Sequence, residues 1–265
     1  MKYLANIHKG KRDMPRRLMI YGTHGIGKST FAASAPSPIV ISTEGGVDNI
    51  DVDSVEVKEY DEAIGVIGDI YSGDTGYQTI VIDTADWLEQ LIYVEVCKEH
   101  QKDAIGNFGF GSGYKFALVK WREVLEGLDA LRKERGMTII LVAHSQIEKF
   151  SNPETEAYNR YSPAMHRDSS AVLQQWCDEV FFATQPIAVK KTDEGFGKTA
   201  SRGMSTGGRE IRTVEAATHL AKNRIAGLPA KLPLDFAAYA EHAGIDITAP
   251  TAPTTAPTTK TGDKK

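Results

Sequence analysis

Runs of apolar and β-branched residues recur along the chain and predict the strands of a sheet. The predicted strands are 17–22, 38–43, 53–58, 78–84, 137–144 and 178–184. Because these runs are almost continuously apolar, we expect the strands to be buried on both faces. Helical patterns lie between them, and the clearest covers 114–135, where apolar residues fall on one face. Strands that alternate with helices predict a parallel sheet with right-handed crossovers.

The pattern changes after residue 178. Two shorter β-like stretches, 186–191 and 209–223, flank a glycine-rich segment, and we interpret them as a hairpin with a long connection. The last residues are rich in Thr, Pro and Ala and lack apolar side chains able to form a core, which predicts a disordered tail. The expected organisation is a basic arm over 1–14, one α/β domain over 15–247 and the tail over 248–265.

Composition narrows the class of protein only partly. With 41% hydrophobic residues among 265, the chain can form a substantial core, and a net charge of −4 neither indicates nor excludes a polyanionic partner. Cys97 and Cys177 both lie in apolar stretches, which is typical of buried thiols in a reducing compartment. No apolar run approaches the ~20 residues of a membrane span. We therefore expect a cytosolic protein without membrane association.

A phosphate-binding loop follows the first predicted strand. Gly22, Gly27, Lys28 and Ser29 have the spacing of a P-loop, with a strand before them and a helical pattern after them. Backbone amides of such a loop hold the β-phosphate, the lysine reaches the β and γ oxygens, and the serine hydroxyl ligates Mg²⁺. The alternative is a chance glycine-rich turn. The predicted nucleotide-binding residues are Gly22, Thr23, His24, Gly25, Ile26, Gly27, Lys28, Ser29 and Thr30.

Acidic residues follow two of the apolar strands. Asp83 ends "TIVID" and is the predicted partner of Ser29 at the metal, where its carboxylate would hold a Mg²⁺-bound water. Alternatively Asp83 only caps the following helix, and Asp86 is the competing carboxylate. Glu44 lies just beyond the second strand and before two glycines, where ligands bind in open α/β sheets, so it is a candidate general base. The alternative for Glu44 is an ordinary exposed turn residue.

Two polar residues lie at the end of the predicted strand 137–144 and just after it. His144 and Gln146 lie at the same sheet edge as the P-loop, so they are candidates for sensing the γ-phosphate and passing its presence into the next loop. Alternatively, both only form hydrogen bonds at a strand end.

Taken in order, "GTHGIGKST", "ISTEGG", "TIVIDT", "LVAHSQ" and "AKNRIAGLP" resemble the motifs of RecA-like ATPases. More narrowly, they resemble phage-encoded RecA-like proteins grouped with single-strand annealing recombinases, over about residues 15–247. The resemblance implies a RecA-like P-loop NTPase core, α/β with a mostly parallel central sheet flanked by helices and a C-terminal β-hairpin region. It implies ATP and Mg²⁺ as cofactors and the cytoplasm of an infected bacterial cell as the location. It also implies that Glu44 activates water and that Gln146 couples ATP to a DNA-binding loop, with His144 as the competitor.

A pair of cations, Lys222 and Arg224, stands late in the chain. In ring or filament ATPases of this class, a Lys-x-Arg pair on a late strand reaches the nucleotide of the neighbouring subunit. The resemblance therefore implies that both residues act in trans on the γ-phosphate, in a homo-oligomer with nucleotide at the subunit interfaces. A solvated basic turn is the alternative.

Two irregular stretches, 104–115 and 148–168, combine aromatic and cationic side chains, which sequence-tolerant binding of single-stranded DNA requires. The predicted DNA-binding residues are Phe108, Phe110, Lys115, Lys149, Tyr158, Arg160, Tyr161, His166 and Arg167. Alternatively, these aromatic side chains pack on the body of the protein. The basic stretches 1–17 and 190–212 are further candidates for contacts with a DNA backbone.

The combined prediction is an ATPase that forms a ring or filament on single-stranded DNA and promotes annealing or strand exchange. A single-strand-binding protein is a candidate partner. The alternatives are a replicative helicase or helicase loader of the same fold, a small-molecule phosphotransferase, and a nucleotide-dependent assembly protein without useful turnover. The phosphotransferase is disfavoured because the sequence contains no compact arginine-rich lid.

Overall fold

The computed structural model describes residues 9, 10, 12, 14–151, 153–193, 199–205 and 207–248. For residues 188–193 and 199–205 it describes the backbone only. Most of the predicted arm and nearly all of the predicted tail lie outside these residues. The strands are β1 (Arg17–Gly22), β2 (Pro38–Ser42), β3 (Asp53–Glu56), β4 (Thr79–Asp83), β5 (Thr138–Phe150), β6 (Tyr158–Pro163), β7 (Glu179–Thr184), β8 (Ile187–Asp193), β9 (Thr199–Ser205), β10 (Glu210–Arg212) and β11 (Lys231–Pro233). The α-helices are α1 (Lys28–Ala33), α2 (Tyr60–Ser72), α3 (Ala85–Glu99), α4 (Ser112–Glu134), α5 (Arg167–Trp176) and α6 (Phe236–Ala243).

The central sheet has the strand order β3-β2-β4-β5-β1-β7-β10-β11. The strands from β3 to β7 in this order are parallel, and β10 and β11 extend the sheet with antiparallel pairing. Gly22 pairs in register with His144, and Ser42 pairs with Asp83. The carboxyl ends of β1, β2 and β4, together with the middle of β5, therefore meet at one edge of the sheet, where open α/β sheets bind ligands.

Apolar side chains cover both faces of the sheet. Helices α2, α3, α4 and α5 pack on one face around the fully buried Trp121, and α1 and α6 cover the other face around Phe236. Local signals place several helix ends: Glu59 and Glu62 form a capping box at α2, and the Thr84 side chain accepts a bond from the Trp87 amide at α3. These features confirm the predicted fold class, including its C-terminal hairpin region, in which β8 pairs with β9.

Three details of the predicted elements are wrong. β3 is exposed along its whole length, because it forms the edge of the sheet. The second arm of the hairpin is Thr199–Ser205, within the segment interpreted as a connection, whereas Glu210–Arg212 joins the central sheet beside β7. The stretch 148–168 is not irregular, because β5 continues to Phe150 and pairs with β6 as a second hairpin.

No helix in the described part of the chain is both long and apolar enough to cross a membrane.

Candidate functional site

The P-loop connects β1 to α1 and curls around the amino group of Lys28. Lys28 is 5% exposed, and its Nζ donates to the carbonyl oxygens of Gly22 at 3.1 Å and Thr23 at 2.9 Å. Burial lowers the pKa of Lys28, and nearby carboxylates, Asp83 first, offset only part of this effect. Gly27 has a φ of 109°, a conformation that favours glycine. The Lys28 amino group thus occupies the space inside the loop where phosphates would bind. Phosphate oxygens could replace the two carbonyl oxygens as its hydrogen-bond acceptors.

A cavity of about 300 Å³ opens at this sheet edge and gathers most of the predicted nucleotide and catalytic residues. Its lining comprises His24, Gly25, Gly27, Lys28, Ser29, Thr30, Glu44, Gly46, Ile50, Asp83, Thr84, His144 and Arg209. One space is therefore shared by the P-loop, by Glu44 after β2, by Asp83 at the end of β4 and by His144 in β5. Up to about 120 residues separate these groups along the chain.

Asp83 ends β4 beside the P-loop and is 3% exposed. Burial raises its pKa, while a hydrogen bond from Ser29 and the charge of Lys28 act in the opposite direction. Its Oδ1 is buried and has no hydrogen-bond partner in the described part of the chain. An unpaired carboxylate oxygen beside a serine hydroxyl is the oxygen donor set that suits Mg²⁺, so these residues fit the predicted metal. No three His, Cys, Asp or Glu side chains among the described residues could hold a metal by themselves, and phosphate oxygens would complete the ligand set.

His144 is fixed in the cavity by Asp86. The Asp86 carboxylate accepts from the His144 amide at 2.9 Å and lies 2.8 Å from its Nδ1. Burial raises the pKa of Asp86, but the hydrogen bonds from His144 outweigh it, so that the pKa is lowered overall. The His144 ring stacks on His24 with centroids 3.8 Å apart, and its Nε2 lies 3.8 Å from Oε1 of Glu44. Asp86 therefore orients a histidine, whereas Asp83 is the carboxylate beside Ser29.

Glu44 follows β2 and lies at the mouth of the cavity, with 25% of its side chain exposed. Burial raises the pKa of its carboxyl group, and the neighbouring His144 offsets part of the rise. A carboxylate with a raised pKa that faces a P-loop is suited to accept a proton from water.

The structure does not bring Gln146 into the P-loop cavity. Its Nε2 donates to the carbonyl oxygens of Pro163 at 3.0 Å and Met165 at 3.3 Å, and the side chain lines a separate cavity. The reason is that β5 continues past the sheet edge and carries Gln146 away from the phosphates. Of the two candidate sensor residues, only His144 lies where a γ-phosphate could contact it, and the interpretation of Gln146 is corrected accordingly.

Lys222 and Arg224 lie at the opposite edge of the sheet. Lys222 pairs with Val180 near the amino end of β7, and its Nζ donates to the Gln174 carbonyl oxygen. Arg224 is 3.2 Å from Asp178, and 56% of its side chain is exposed. Neither residue can reach the phosphates of its own chain. A role in trans, which requires this separation, stays a prediction.

The predicted DNA-binding stretch 104–115 contains one buried and one exposed phenylalanine. Phe108 is 8% exposed and packs against His100 and Phe116, so its predicted role in DNA binding is wrong. Phe110, by contrast, is fully exposed, and Lys115 also faces solvent. The alternation of glycine and phenylalanine gave no indication of which ring packs inward.

The second stretch is also partly structural. Arg160 pairs with Glu148 at 3.0 Å and with Glu215 at 3.6 Å, and its guanidinium lies over the Phe150 ring. Tyr161 stacks on Phe182 in the core. Because their charge and ring face are already engaged, we withdraw both as DNA-binding residues.

The remaining residues of that stretch are Lys149, Tyr158, His166 and Arg167. Lys149 and Arg167 are exposed, and Tyr158 packs against Phe150. The His166 ring accepts from the Asp168 amide at the start of α5. It also stacks on Tyr114 at 4.1 Å, and this contact joins the two predicted DNA-binding stretches into one surface.

Sequence reasoning missed Arg209 as a site residue. This side chain lines the P-loop cavity, and its Nη1 would lie 3.1 Å from a Cβ placed on Gly27. The sequence carries no local signal for this position, because Arg209 follows a glycine-rich segment about 180 residues after the P-loop.

The chain is similar to a family model and to solved structures. No curated protein matches the chain. Solved structures do match, including one titled "Crystal structure of the RadB recombinase", at 13% identity and a TM-score of 0.39, covering 65% of this chain and 76% of that one. A family model described as "AAA domain" matches residues 14–225, a span that includes the P-loop, Glu44, Asp83 and His144. Since this span is most of the chain and contains every residue that lines the P-loop cavity, the chain belongs to the AAA domain family.

Proposed function

We propose that this protein hydrolyses ATP with Mg²⁺, forms oligomers on single-stranded DNA and promotes annealing or strand exchange in phage-type recombination. One observation carries the proposal. The cavity that holds Lys28, Asp83 and Glu44 also holds His144, and the strand of His144 continues directly into the β5–β6 hairpin outside the sheet. A nucleotide in this cavity would therefore contact the base of a hairpin that carries candidate DNA-binding residues.

Lys28 and Glu44 perform the chemical roles in this proposal. When a triphosphate binds, Lys28 exchanges the carbonyl oxygens of Gly22 and Thr23 for phosphate oxygens and stabilises their charge. Glu44 orients the attacking water and accepts its proton, a role that its raised pKa favours. Ser29 and Asp83 would hold Mg²⁺, which neutralises phosphate charge when bound.

His144 links the nucleotide to the hairpin. Asp86 holds its Nδ1, so that Nε2 points toward Glu44 and the mouth of the cavity. A γ-phosphate there would compete with Glu44 for this edge of the ring, and a displaced ring would pull on the strand that leads to Lys149. Together with Phe110 and Arg167, Lys149 offers the exposed ring and cations that a single strand requires.

The positions of the two late cations support the proposed oligomer. Since Lys222 and Arg224 lie at the edge opposite their own P-loop, we assign them to the nucleotide of a neighbouring subunit. Lys222 is held by the Gln174 carbonyl oxygen, whereas Arg224 is largely exposed, so Arg224 is the stronger candidate for contacting phosphate.

ATP turnover with and without single-stranded DNA tests the proposal. We expect DNA to stimulate the wild type, and Lys28→Ala, Glu44→Gln and Arg224→Ala to lose at least about 100-fold in turnover, since each removes charge stabilisation or water activation. Arg122→Ala, at an exposed position of α4, is the matched control and should retain full activity. Turnover that ignores DNA, or strand annealing that is equally fast in Lys28→Ala, would contradict the recombination function.

A mixing experiment tests the action in trans. Inactive Glu44→Gln and inactive Arg224→Ala subunits should together recover part of the activity, because some interfaces then combine an intact carboxylate with an intact arginine. If light scattering shows that the subunits mix and activity still does not return, Arg224 does not act on a neighbour's nucleotide.

A further inference from the structure

A cavity of about 210 Å³ lies between the β5–β6 hairpin and α5. On the hairpin side, Gln146 pairs in register with Ser162, and Glu148 pairs with Arg160. Because the two pairs are separated by two residues along each strand, all four side chains belong to one face of the hairpin. This face is polar throughout, and it borders a cavity where an apolar face would have packed against the helix.

The wall opposite the hairpin is one side of α5, formed by residues that follow each other at spacings of three and four. These residues are Arg167, Ser170, Ala171 and Gln174. Apolar surface is added by Pro163, Met165 and Leu220. The cavity therefore combines apolar surface with a few hydrogen-bonding groups, as ligand sites do.

The Ser162 hydroxyl indicates that this cavity takes a ligand. Ser162 is 2% exposed, and its Oγ has no hydrogen-bond partner among the residues that the structure describes. An unpaired buried polar atom costs about 1–3 kcal/mol, so a ligand with a hydrogen-bonding edge would be stabilised here. Across the hairpin, Gln146 uses its amide nitrogen to donate to the Pro163 and Met165 carbonyl oxygens, and its amide oxygen is left as an acceptor.

The charges around the cavity disfavour an anion inside it. Arg160 is paired with Glu148 at 3.0 Å and with Glu215 at 3.6 Å, so its charge is already balanced by carboxylates. An anion in the cavity would meet the Glu148 carboxylate beside an arginine that is already paired. Arg167, by contrast, lies at the mouth with 89% of its side chain exposed. The site therefore suits a neutral group inside and an anionic group outside.

We propose that this cavity encloses one base of the single-stranded DNA, while Arg167 contacts a neighbouring phosphate. This inference rests on the proposed function, because it presupposes that the hairpin lies against DNA. A base fits the cavity in both respects: its flat faces suit apolar contact with Met165 and Leu220, and its polar edge suits Ser162 and Gln146. Each subunit would then hold one base out of the stack.

Binding of two labelled single strands of equal length tests the inference by fluorescence anisotropy. One strand is oligothymidine, and the other carries abasic residues in place of the bases, so the two present the same phosphates. Ala171→Phe places a ring in the cavity from an exposed position of α5. It should weaken binding of oligothymidine at least about fivefold and leave binding of the abasic strand unchanged. Ala237→Phe, at an exposed position of α6, is the matched control and should bind both strands as the wild type does.

Ser162→Ala tests the polar edge of the site. It should weaken binding of oligothymidine alone by about threefold or more, because the base loses a hydrogen bond. Folding should be unaffected, since the hydroxyl has no protein partner among the described residues, and circular dichroism checks this for every variant. Ser54→Ala, on the exposed strand β3, is the matched control. Unchanged affinity in Ser162→Ala would overturn the assignment of this hydroxyl to a base.

Two results would overturn the base site as a whole. If Ala171→Phe binds oligothymidine as the wild type does, the cavity holds only water. If Ala171→Phe weakens both strands equally, the surface contacts phosphates and encloses no base. Failure of the wild type to bind either strand would instead refute the proposed function.

Discussion

A buried glutamate makes the stability of this fold depend on pH. Glu179, the first residue of β7, is fully buried, with Arg16 at 3.4 Å and the Tyr239 hydroxyl at 3.4 Å. Burial raises the pKa of Glu179 to about 7, the charges of Arg16 and Arg224 offset part of the rise, and the neighbouring Asp178 adds to it. The folded state therefore binds the Glu179 proton more tightly than the unfolded state does.

The size of the effect follows from the two pKa values. Below the ordinary value of 4.5 both states are protonated, and the contribution of the neutral carboxyl to stability is fully present. As the pH rises, the unfolded chain loses this proton first, and the contribution is lost through a pH of about 7. At about 1.4 kcal/mol per pKa unit, the loss amounts to roughly 3 kcal/mol at pH ~8.

Glu179→Gln removes the ionisation and keeps an acceptor for the Tyr239 hydroxyl. We expect this variant to be more stable than the wild type by up to about 3 kcal/mol near pH ~8, and nearly unchanged near pH ~4.5, in urea unfolding measured at both pH values. Glu241→Gln, at an exposed position of α6, is the matched control. A Glu179→Gln variant that is less stable at the higher pH, or shifted equally at both, would refute the reasoning.

Three further predictions concern the site and the opposite edge of the sheet. Phe108→Ala should destabilise the protein by about 3 kcal/mol in urea unfolding, because it empties part of the core, whereas Phe110→Ala should leave stability unchanged and weaken binding of a labelled single strand by about 1 kcal/mol or more in fluorescence anisotropy. Asp178→Asn should destabilise the protein by about 3 kcal/mol at neutral pH in urea unfolding, since it leaves partly buried arginines without a counter-charge. Burial raises the pKa of Asp178, but the arginines outweigh burial and lower it overall. The stability that the wild type gains from this carboxylate should therefore be lost as the pH falls through its pKa in the folded state. Asp86→Asn should lower ATP turnover about tenfold with little change in ATP affinity, because it loosens the histidine at the cavity mouth.

The P-loop cavity was predictable because its parts depend on local sequence and on one rule of sheet geometry. The spacing from Gly22 to Ser29 defines a P-loop once a strand precedes it. Parallel strands bring their carboxyl ends to one edge, so residues that follow strands, such as Glu44 and Asp83, had to come together there. Neither step requires knowledge of how side chains pack.

The wrong and missed residue predictions concern positions whose environment is determined by tertiary packing. Phe108 and Phe110 lie on either side of Gly109, and only the position of His100 and Phe116 determines which ring is buried. Gln146 was misplaced because the length of β5 depends on its pairing with β6, which no local pattern in this stretch indicates. Arg209 reaches the P-loop only because β10 pairs with β7, a contact that no local pattern records.

The separation of the two sheet edges constrains any assembly of this protein. The P-loop cavity lies at the carboxyl ends of the strands, whereas Arg224 lies at the amino end of β7 and is paired with Asp178. If Arg224 acts on a neighbour's nucleotide as proposed, one subunit must present its amino edge to the carboxyl edge of the next. Such a contact is head to tail, so repetition produces a closed ring or an open filament and excludes a two-fold symmetric dimer. Arg224 must also leave Asp178 to reach a phosphate, and because more than half of the Arg224 side chain is exposed to water, breaking the pair costs little for the arginine. Arg17 and Arg132 remain with Asp178, so the fold keeps this cluster when Arg224 departs.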